Sequence, residues 1–311
     1  MPYRISGHES FTCRYTWLPK AVQCIQRDGQ LLSKDEEAMV ELGVGKNMVR
    51  SIRFWSQAAG VVESLGKNGK LQLTSFGKTL LGNRGFDPFL EDIRTLWLIH
   101  WKLATSTPNP LLAWDFLLNC WHEPEIVPST VVAALQKEIT KHNDKASPST
   151  LEQHFDTFLH TYVPTRGRKG RVQEDNLDCP LVELALIIKV GEGESNGTLG
   201  RRESIYAFRR EEKPEITQEL FVYCLNSFWQ RQHPNETTIS FREVAHGHGS
   251  PGQIFKLPED DTRSRIEIAG RKAGSFFSYV DSANLQQVQR QANVNEEDLL
   301  RRIYKSDAGT N

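Results

Sequence analysis

Apolar and polar positions separate with a helical period over residues 45–60. Met48, Ile52, Trp55 and Ala59 recur at i, i+4, i+7 and i+11, and Lys46, Arg50, Arg53 and Gln57 recur at the same spacing on the opposite side. This period predicts an amphipathic helix starting near Gly45, with one face docked on a core and the other in solvent. A first helix is predicted over Trp17 to Leu31, with Leu18, Val22 and Ile25 inside. A short second helix is predicted over Asp35 to Leu42, where Asp35 and Glu36 suit the positive end of the helix dipole. Gly43 and Gly45 supply the turn into the third helix. Past Gly60 the pattern becomes strand, turn, strand: Val61–Leu65, Gly66–Lys70, then Leu71–Thr74, with a fourth helix over Ser75–Leu81. Helix, helix, turn, helix, hairpin is the order of a winged helix-turn-helix.

Further along, Ile93–Ala104 and Leu111–Trp121 read as apolar helices. Their tryptophans at 97, 101, 114 and 121 read as core packing in preference to base-stacking platforms. Pro128–Lys141 is another helix, and His142–Ala146 a turn. Ser147 caps a helix that starts at Pro148 and buries Leu151, Phe155, Phe158 and Tyr162. Its outward residues are read as Gln153, Asp156, Thr157 and His160, so this second helix-turn-helix pattern reads as structural. The remainder reads as α+β. An apolar element spans Pro180–Lys189, a flexible loop Gly191–Gly200, a strand Ser204–Arg210 and a helix Pro214–Gln232. A helical unit opens at Ile239–Val244, Ser250-Pro251 caps a short helix, Phe276–Val280 reads as a strand, and Leu285–Ala292 and Glu296–Tyr304 read as terminal helices. The expected fold is mainly α with α+β parts. Its three parts are a winged-helix domain over 1–85, a helical domain over 86–163 and an α+β domain over 164–311.

Charge sharpens this picture. The chain as a whole carries a formal charge of −1, yet between Gly43 and Gly85 Lys46, Arg50, Arg53, Lys67, Lys70, Lys78 and Arg84 face a single acid, Glu63. A local excess of this kind marks a nucleic-acid site. The expected DNA-binding residues are Lys46, Asn47, Arg50, Arg53 and Gln57 toward the major groove and Lys67 and Lys70 on phosphates, with double-stranded DNA as partner. The alternative is an ordinary solvated basic face. Arg166, Arg168 and Lys169 lie in a glycine-broken basic loop that reads equally as a phosphate-gripping arm or a linker. The five cysteines are scattered without a CxxC pair, against a disulfide framework or zinc ribbon, and fit a reducing cytoplasm. No apolar run approaches a membrane span of about 20 residues, and the first residues show no signal-peptide pattern.

Searching for chemistry excludes a phosphate-cradling Walker loop, HExxH and GxSxG. His246 and His248 flank a glycine without an adjacent third ligand and read as a polar cap. Two sets remain as catalytic candidates. His8 and Glu9 stand with Arg14 and Lys20 in an unusually polar lead-in to the first helix, where they supply a base, a metal ligand and phosphate clamps, or else simply brace that helix. Asp178, Glu211 and Lys213 offer the acid and Glu-x-Lys pattern of a metal-dependent nuclease near a strand end, although Glu-Glu-Lys before Pro214 is also common surface sequence. Either set would call for Mg²⁺ or Mn²⁺.

GHESFTCRYTWLPK at 7–20, LGVGKNMVRSIRFW at 42–55 and, more weakly, GSPGQIFKL at 249–257 resemble the SspB-like proteins of bacterial DNA phosphorothioate modification. The resemblance reaches both ends of the chain. It implies a DNA-binding protein that introduces a strand nick, in a system where sulfur replaces a non-bridging phosphate oxygen. It also implies three partners: a cysteine desulfurase, an ATPase and an adenylating reductase-like protein. It assigns no catalytic position. Two non-catalytic alternatives stay open, a winged-helix regulator and a scaffold that delivers DNA to the sulfur-transfer partners. A homodimer on palindromic DNA is a further expectation.

Overall fold

The three N-terminal stripes fold as α1 (Trp17–Arg27), α2 (Asp35–Leu42) and α3 (Lys46–Ala58), with a 3-10 turn over Leu31–Ser33 between the first two. The computed structural model describes residues 3–66, 70–142, 144–165, 179–194, 202–271, 276–282, 285–291 and 294–305. α1 stops short of the predicted Leu31 because Asp28 turns extended. Gly43 closes α2 at φ +64°, a left-handed conformation that glycine adopts without steric cost. β1 (Val62–Leu65) pairs antiparallel with β2 (Lys70–Leu73). Thr74 then caps α4 (Ser75–Leu81) by accepting the Gly77 N–H.

The next elements are α5 (Ile93–Ala104), α6 (Leu112–Asp115), α7 (Pro128–Lys141) and α8 (Pro148–Tyr162). The single helix expected over Leu111–Trp121 begins as α6 and widens into a π-turn over Phe116–Cys120. Trp97, Trp101, Trp114, Phe155, Phe158 and Tyr162 are fully buried, so the tryptophans are core as expected. The Tyr162 hydroxyl accepts the Trp114 indole N–H at 3.0 Å and lies 2.8 Å from His100 Nδ1. Thr157, expected on the surface of α8, is buried: its hydroxyl donates to the Gln153 carbonyl at 2.8 Å, which satisfies it inside.

A 3-10 turn over Pro180–Leu184 leads into β3 (Ile187–Glu194), which pairs antiparallel with β4 (Arg202–Phe208). Gly191–Glu194 is therefore strand where a loop was expected. Pairing with Arg202–Ile205 supplies the backbone partners, and a register shift between Lys189 and Gly191 absorbs the irregularity. Residues 195–200 of that expected loop lie outside the described residues.

The chain forms two compact units, residues 1–117 with 121–209 and residues 118–120 with 210–311. The expected boundaries at 85 and 163 both fall within the first. The second unit holds α9 (Gln218–Gln232), β5 (Thr238–Ser240), α10 (Phe241–His246), α11 (Pro251–Ile254), α12 (Glu259–Arg271), β6 (Phe277–Ser282), β7 (Leu285–Arg290) and α13 (Glu296–Lys305). Its sheet is antiparallel in the order β5-β7-β6. Leu285–Arg290 is the central strand of that sheet, where a helix was expected. The sequence LQQVQR suits either period, and pairing on both sides, with Val288 buried, selects the strand. α12 escaped the sequence pattern because its charges mask a narrow apolar stripe, Ile266 and Ala269. The architecture is α+β, helices with small antiparallel sheets. Among the described residues no helix is long and apolar enough to cross a membrane.

Replacing Tyr162 by Phe removes the acceptor for Trp114 and the hydroxyl beside His100. The expected loss is roughly 1–3 kcal/mol of stability, the usual cost of stranding a buried donor, read from urea unfolding.

Candidate nucleic-acid interface

α3 sorts largely as its period predicts. Ile52, Trp55 and Ala59 are buried as expected, whereas Met48 is half-buried and its neighbour Val49 is the buried residue of the first turn; Lys46, Asn47 and Arg50 are exposed and Arg53 and Gln57 half-buried. Trp55 anchors the helix by donating its indole N–H to the Phe11 carbonyl at 2.9 Å. The outward face meets an acid that the helix does not itself carry: Asp35, the first residue of α2. Its Oδ1 lies 2.9 Å from Arg53 Nη2, and its Oδ2 lies 3.3 Å from Arg50 Nε and 3.9 Å from Lys46 Nζ. Partial burial pushes the Asp35 carboxyl up, but the hydrogen bonds and charges of Arg53 and Arg50 outweigh it and leave the group below the usual carboxylate range. Arg53 also donates from Nε and Nη2 to the Leu32 carbonyl, at 3.0 and 2.7 Å. With its side chain 26 % exposed against 44 % for Arg50 and 55 % for Lys46, Arg53 is as much a brace as a contact group.

Beside this face a polar cleft of about 420 Å³ opens between the 3-10 turn and the hairpin, lined by Ser33, Lys34, Arg53, Gln57, Ser64 and Lys70. Gln57 donates to the Ser64 hydroxyl at 3.1 Å, tying α3 to β1. Lys70 is exposed at the start of β2. The arrangement offers cations at a solvent-facing helix and at the neighbouring hairpin, the geometry that phosphates and base edges can engage. Lys67, Arg166, Arg168 and Lys169 lie outside the described residues.

Of the catalytic candidates, His8 and Glu9 fall in the first unit and Glu211 and Lys213 in the second. His8 is buried and Glu9 exposed. His154, on α8, accepts the Ala113 N–H on Nε2 at 3.1 Å, and its Nδ1 lies 3.1 Å from His8 Nε2. The Ser10 N–H faces His8 Nδ1, also at 3.1 Å, and the Ser51 hydroxyl donates to the His8 carbonyl at 3.0 Å. His8 thus braces the lead-in segment against α3 and α8. Burial lowers the His8 pKa to about 4, with an Ile5 backbone hydrogen bond opposing and the Arg4 charge adding. Burial and the charge of His8 lower His154 to about 3. In the second unit Glu211 is exposed, but Lys213 is fully buried and donates to the carbonyls of Glu211 and Lys256, at 2.9 and 3.3 Å. Asp178 lies outside the described residues. Among the described residues no three His, Cys, Asp or Glu side chains stand close enough to hold a metal ion.

Sequence reasoning missed Asp35 as a member of the basic face, and His154 and Thr157 as the neighbours of His8. The acid at the start of α2 was visible, but its meeting with α3 is a tertiary event. His154 lies one helical turn after Thr150 and one before Phe158, on the buried stripe, a position that in itself signals a histidine needing partners.

The chain matches the family described as "Protein of unknown function (DUF4007)" over residues 5–304. A magnesium ion-bound SspB crystal structure is similar at 25 % identity and a TM-score of 0.82, over 97 % of this chain and 86 % of that chain. A second SspB crystal structure is similar at 24 % identity and a TM-score of 0.81, with the same coverage. The likeness to SspB-like proteins expected from 7–20 and 42–55 is thereby shown across nearly the whole chain. Comparison with curated proteins finds no match.

The histidine pair makes acid stability testable. An unfolded histidine titrates near pH 6.5, roughly the ordinary value, whereas His8 and His154 resist protonation down to about 4 and about 3. The unfolded chain therefore binds more protons below pH 6.5, and stability falls as the pH drops from there toward 4. His154→Gln, whose amide oxygen can still accept from Ala113, is expected to fall less steeply across that window, read from thermal midpoints at a series of pH values.

Proposed function

As a member of the family described as a protein of unknown function (DUF4007), this chain is, we propose, an SspB-like, DNA-binding component of DNA phosphorothioate modification. The observation that carries the reading is the solvent-facing set of Lys46, Arg50 and Arg53 on α3, beside Lys70 on the hairpin. The likeness to SspB supports the pathway.

In this reading α1 to α4 with the β1–β2 hairpin act as a winged helix. α3 enters the major groove, and Lys46, Asn47 and Arg50, in its first turns, lie where a recognition helix meets base edges. Arg50 pairs with a guanine through two nitrogens, or with a phosphate by the same fork. Lys70 on the hairpin takes a backbone phosphate. A cysteine desulfurase, an ATPase and an adenylating reductase-like protein are the partners that would deliver sulfur to the bound strand.

The finer activity is a nick in one strand, which would open the backbone linkage to sulfur exchange. Magnesium is present in one similar SspB structure. In this chain no three His, Cys, Asp or Glu side chains among the described residues stand close enough to hold a metal ion. The buried His8 and Lys213 are held by hydrogen bonds away from solvent. The placement of these two candidates favours a second reading in which the protein holds DNA for its partners without cutting it.

Two outcomes test the proposal. Replacing Lys46, Arg50 and Lys70 together by Ala is expected to weaken duplex binding and to reduce the salt slope by about one unit for each phosphate no longer neutralised, measured by fluorescence anisotropy across a salt series. Affinity equal to wild type would overturn the DNA-binding reading. For nicking, purified protein with Mg²⁺ or Mn²⁺ is expected to convert supercoiled plasmid to open circle without linearising it, and to leave it supercoiled in EDTA. Plasmid that is bound but stays supercoiled with every metal would leave delivery without cutting.

A further inference from the structure

Asp35 has no counterpart in the sequence pattern of a DNA-reading helix. It places one carboxylate among three cations, where it cancels part of the charge that would draw DNA in. A surface whose sole task was to hold phosphate would gain by losing it.

We propose that Asp35 is the specificity-determining residue of the α3 face: a fixed anion that orients Arg50 and Arg53 and discourages DNA that offers phosphate alone. The inference rests on the DNA-binding reading above and deepens it.

The geometry gives the reason. Asp35 engages Arg50 through Nε at 3.3 Å, on one side of the guanidinium. That leaves the terminal Nη1–Nη2 edge for a paired acceptor, such as O6 and N7 of a guanine. Arg53 is held on two sides, by Asp35 and by the Leu32 carbonyl. Guanidinium groups fixed before binding lose less freedom when the complex forms. Asp35 is itself held in place, since it opens α2, where the helix dipole favours a carboxylate. A DNA phosphate that approaches the same three cations must enter the field of this carboxylate, and like charges disfavour that contact. A base edge that accepts from Arg50 without adding charge suffers no such repulsion. The carboxylate therefore lowers general affinity more than it lowers affinity for the matched site, which is how discrimination arises.

Glu36, the next residue, supplies the control. It carries the same charge in the same helical turn, is exposed, and forms no ion pair with α3 among the described residues. Asp35 acts through the arginines, so it is a positioning residue, and its test must read more than stability.

The experiment uses the full chain. A preferred duplex is selected from a random pool with the wild-type protein, and its affinity and that of a scrambled duplex are measured across a salt series. Asp35→Asn is expected to bind the scrambled duplex about tenfold more tightly at low salt and to steepen its salt slope by about one unit. The ratio of preferred to scrambled affinity is expected to fall by at least about fivefold, the scale of one weakened bidentate contact. Asp35→Glu is expected to restore much of the ratio, and Glu36→Gln to leave it unchanged. Should Asp35→Asn fail to fold, judged by its thermal transition, Asp35→Ser carries the same expectation. An unchanged ratio in the folded Asp35 variant would overturn this inference alone, as would an equal fall in the ratio for Glu36→Gln. Absence of binding by the wild-type protein to every duplex would overturn the DNA-binding reading and this inference together.

Discussion

The burial of Trp55 is the constraint on which the basic face depends. A helix can present three cations to solvent only if its other side is firmly held. Trp55 is 1 % exposed, meets Trp114 edge-on with ring centroids 5.8 Å apart, and donates its indole N–H to Phe11. Through Trp114 the contact continues to Phe158, His154 and the Tyr162 hydroxyl. The aromatic block of α5 to α8 is thus the platform on which α3 sits, and its packing fixes where Lys46 and Arg50 stand. Aromatic pairs of this kind add a directional preference to plain area burial.

Cations in this protein serve two different ends. On α3 they face solvent and gather around one carboxylate. In the second unit Lys213, Lys256 and Arg265 are drawn inside and bonded to carbonyls. Lys256 donates to Leu118 at 2.6 Å, Lys213 to Glu211 and Lys256, and Arg265 to Lys213 and Ile216. Burial lowers the Lys256 amine to about 7, with the Arg210 charge adding and Cys120 opposing. Such lysines stitch loops that regular strands do not pair, and a buried backbone carbonyl needs a donor. This accounts for Lys213, which looks in sequence like the lysine of a nuclease pattern and in the fold is a brace.

The lead-in segment 7–20 shows the same ambiguity resolved in the same way. His8 looks like a catalytic base because it stands beside an acid in a polar stretch. In the fold its ring is enclosed by His154, Phe54 and Ser10, and Glu9 points to solvent at a left-handed φ of +50°. The strain at Glu9 and Ser10 is carried by the tight turn that lets His8 reach inward.

Local periodicity determined much of this protein. The helices over 17–27, 35–42, 46–58, 75–81, 93–104, 128–141 and 148–162 all follow apolar spacing and caps visible in the chain, because an isolated amphipathic stripe needs only neighbours three and four residues away. The charge on α3 and the likeness to SspB-like proteins were legible for the same reason: both reside in short contiguous segments. Tertiary structure decided whatever depended on partners distant in sequence. LQQVQR became a strand because β5 and β6 flank it. Thr157 and His154 turned inward because α8 packs against the lead-in segment. Asp35 joined the basic face because α2 folds back beside α3. A sequence shows which groups a helix carries; which foreign group its face meets is settled only when the chain closes on itself.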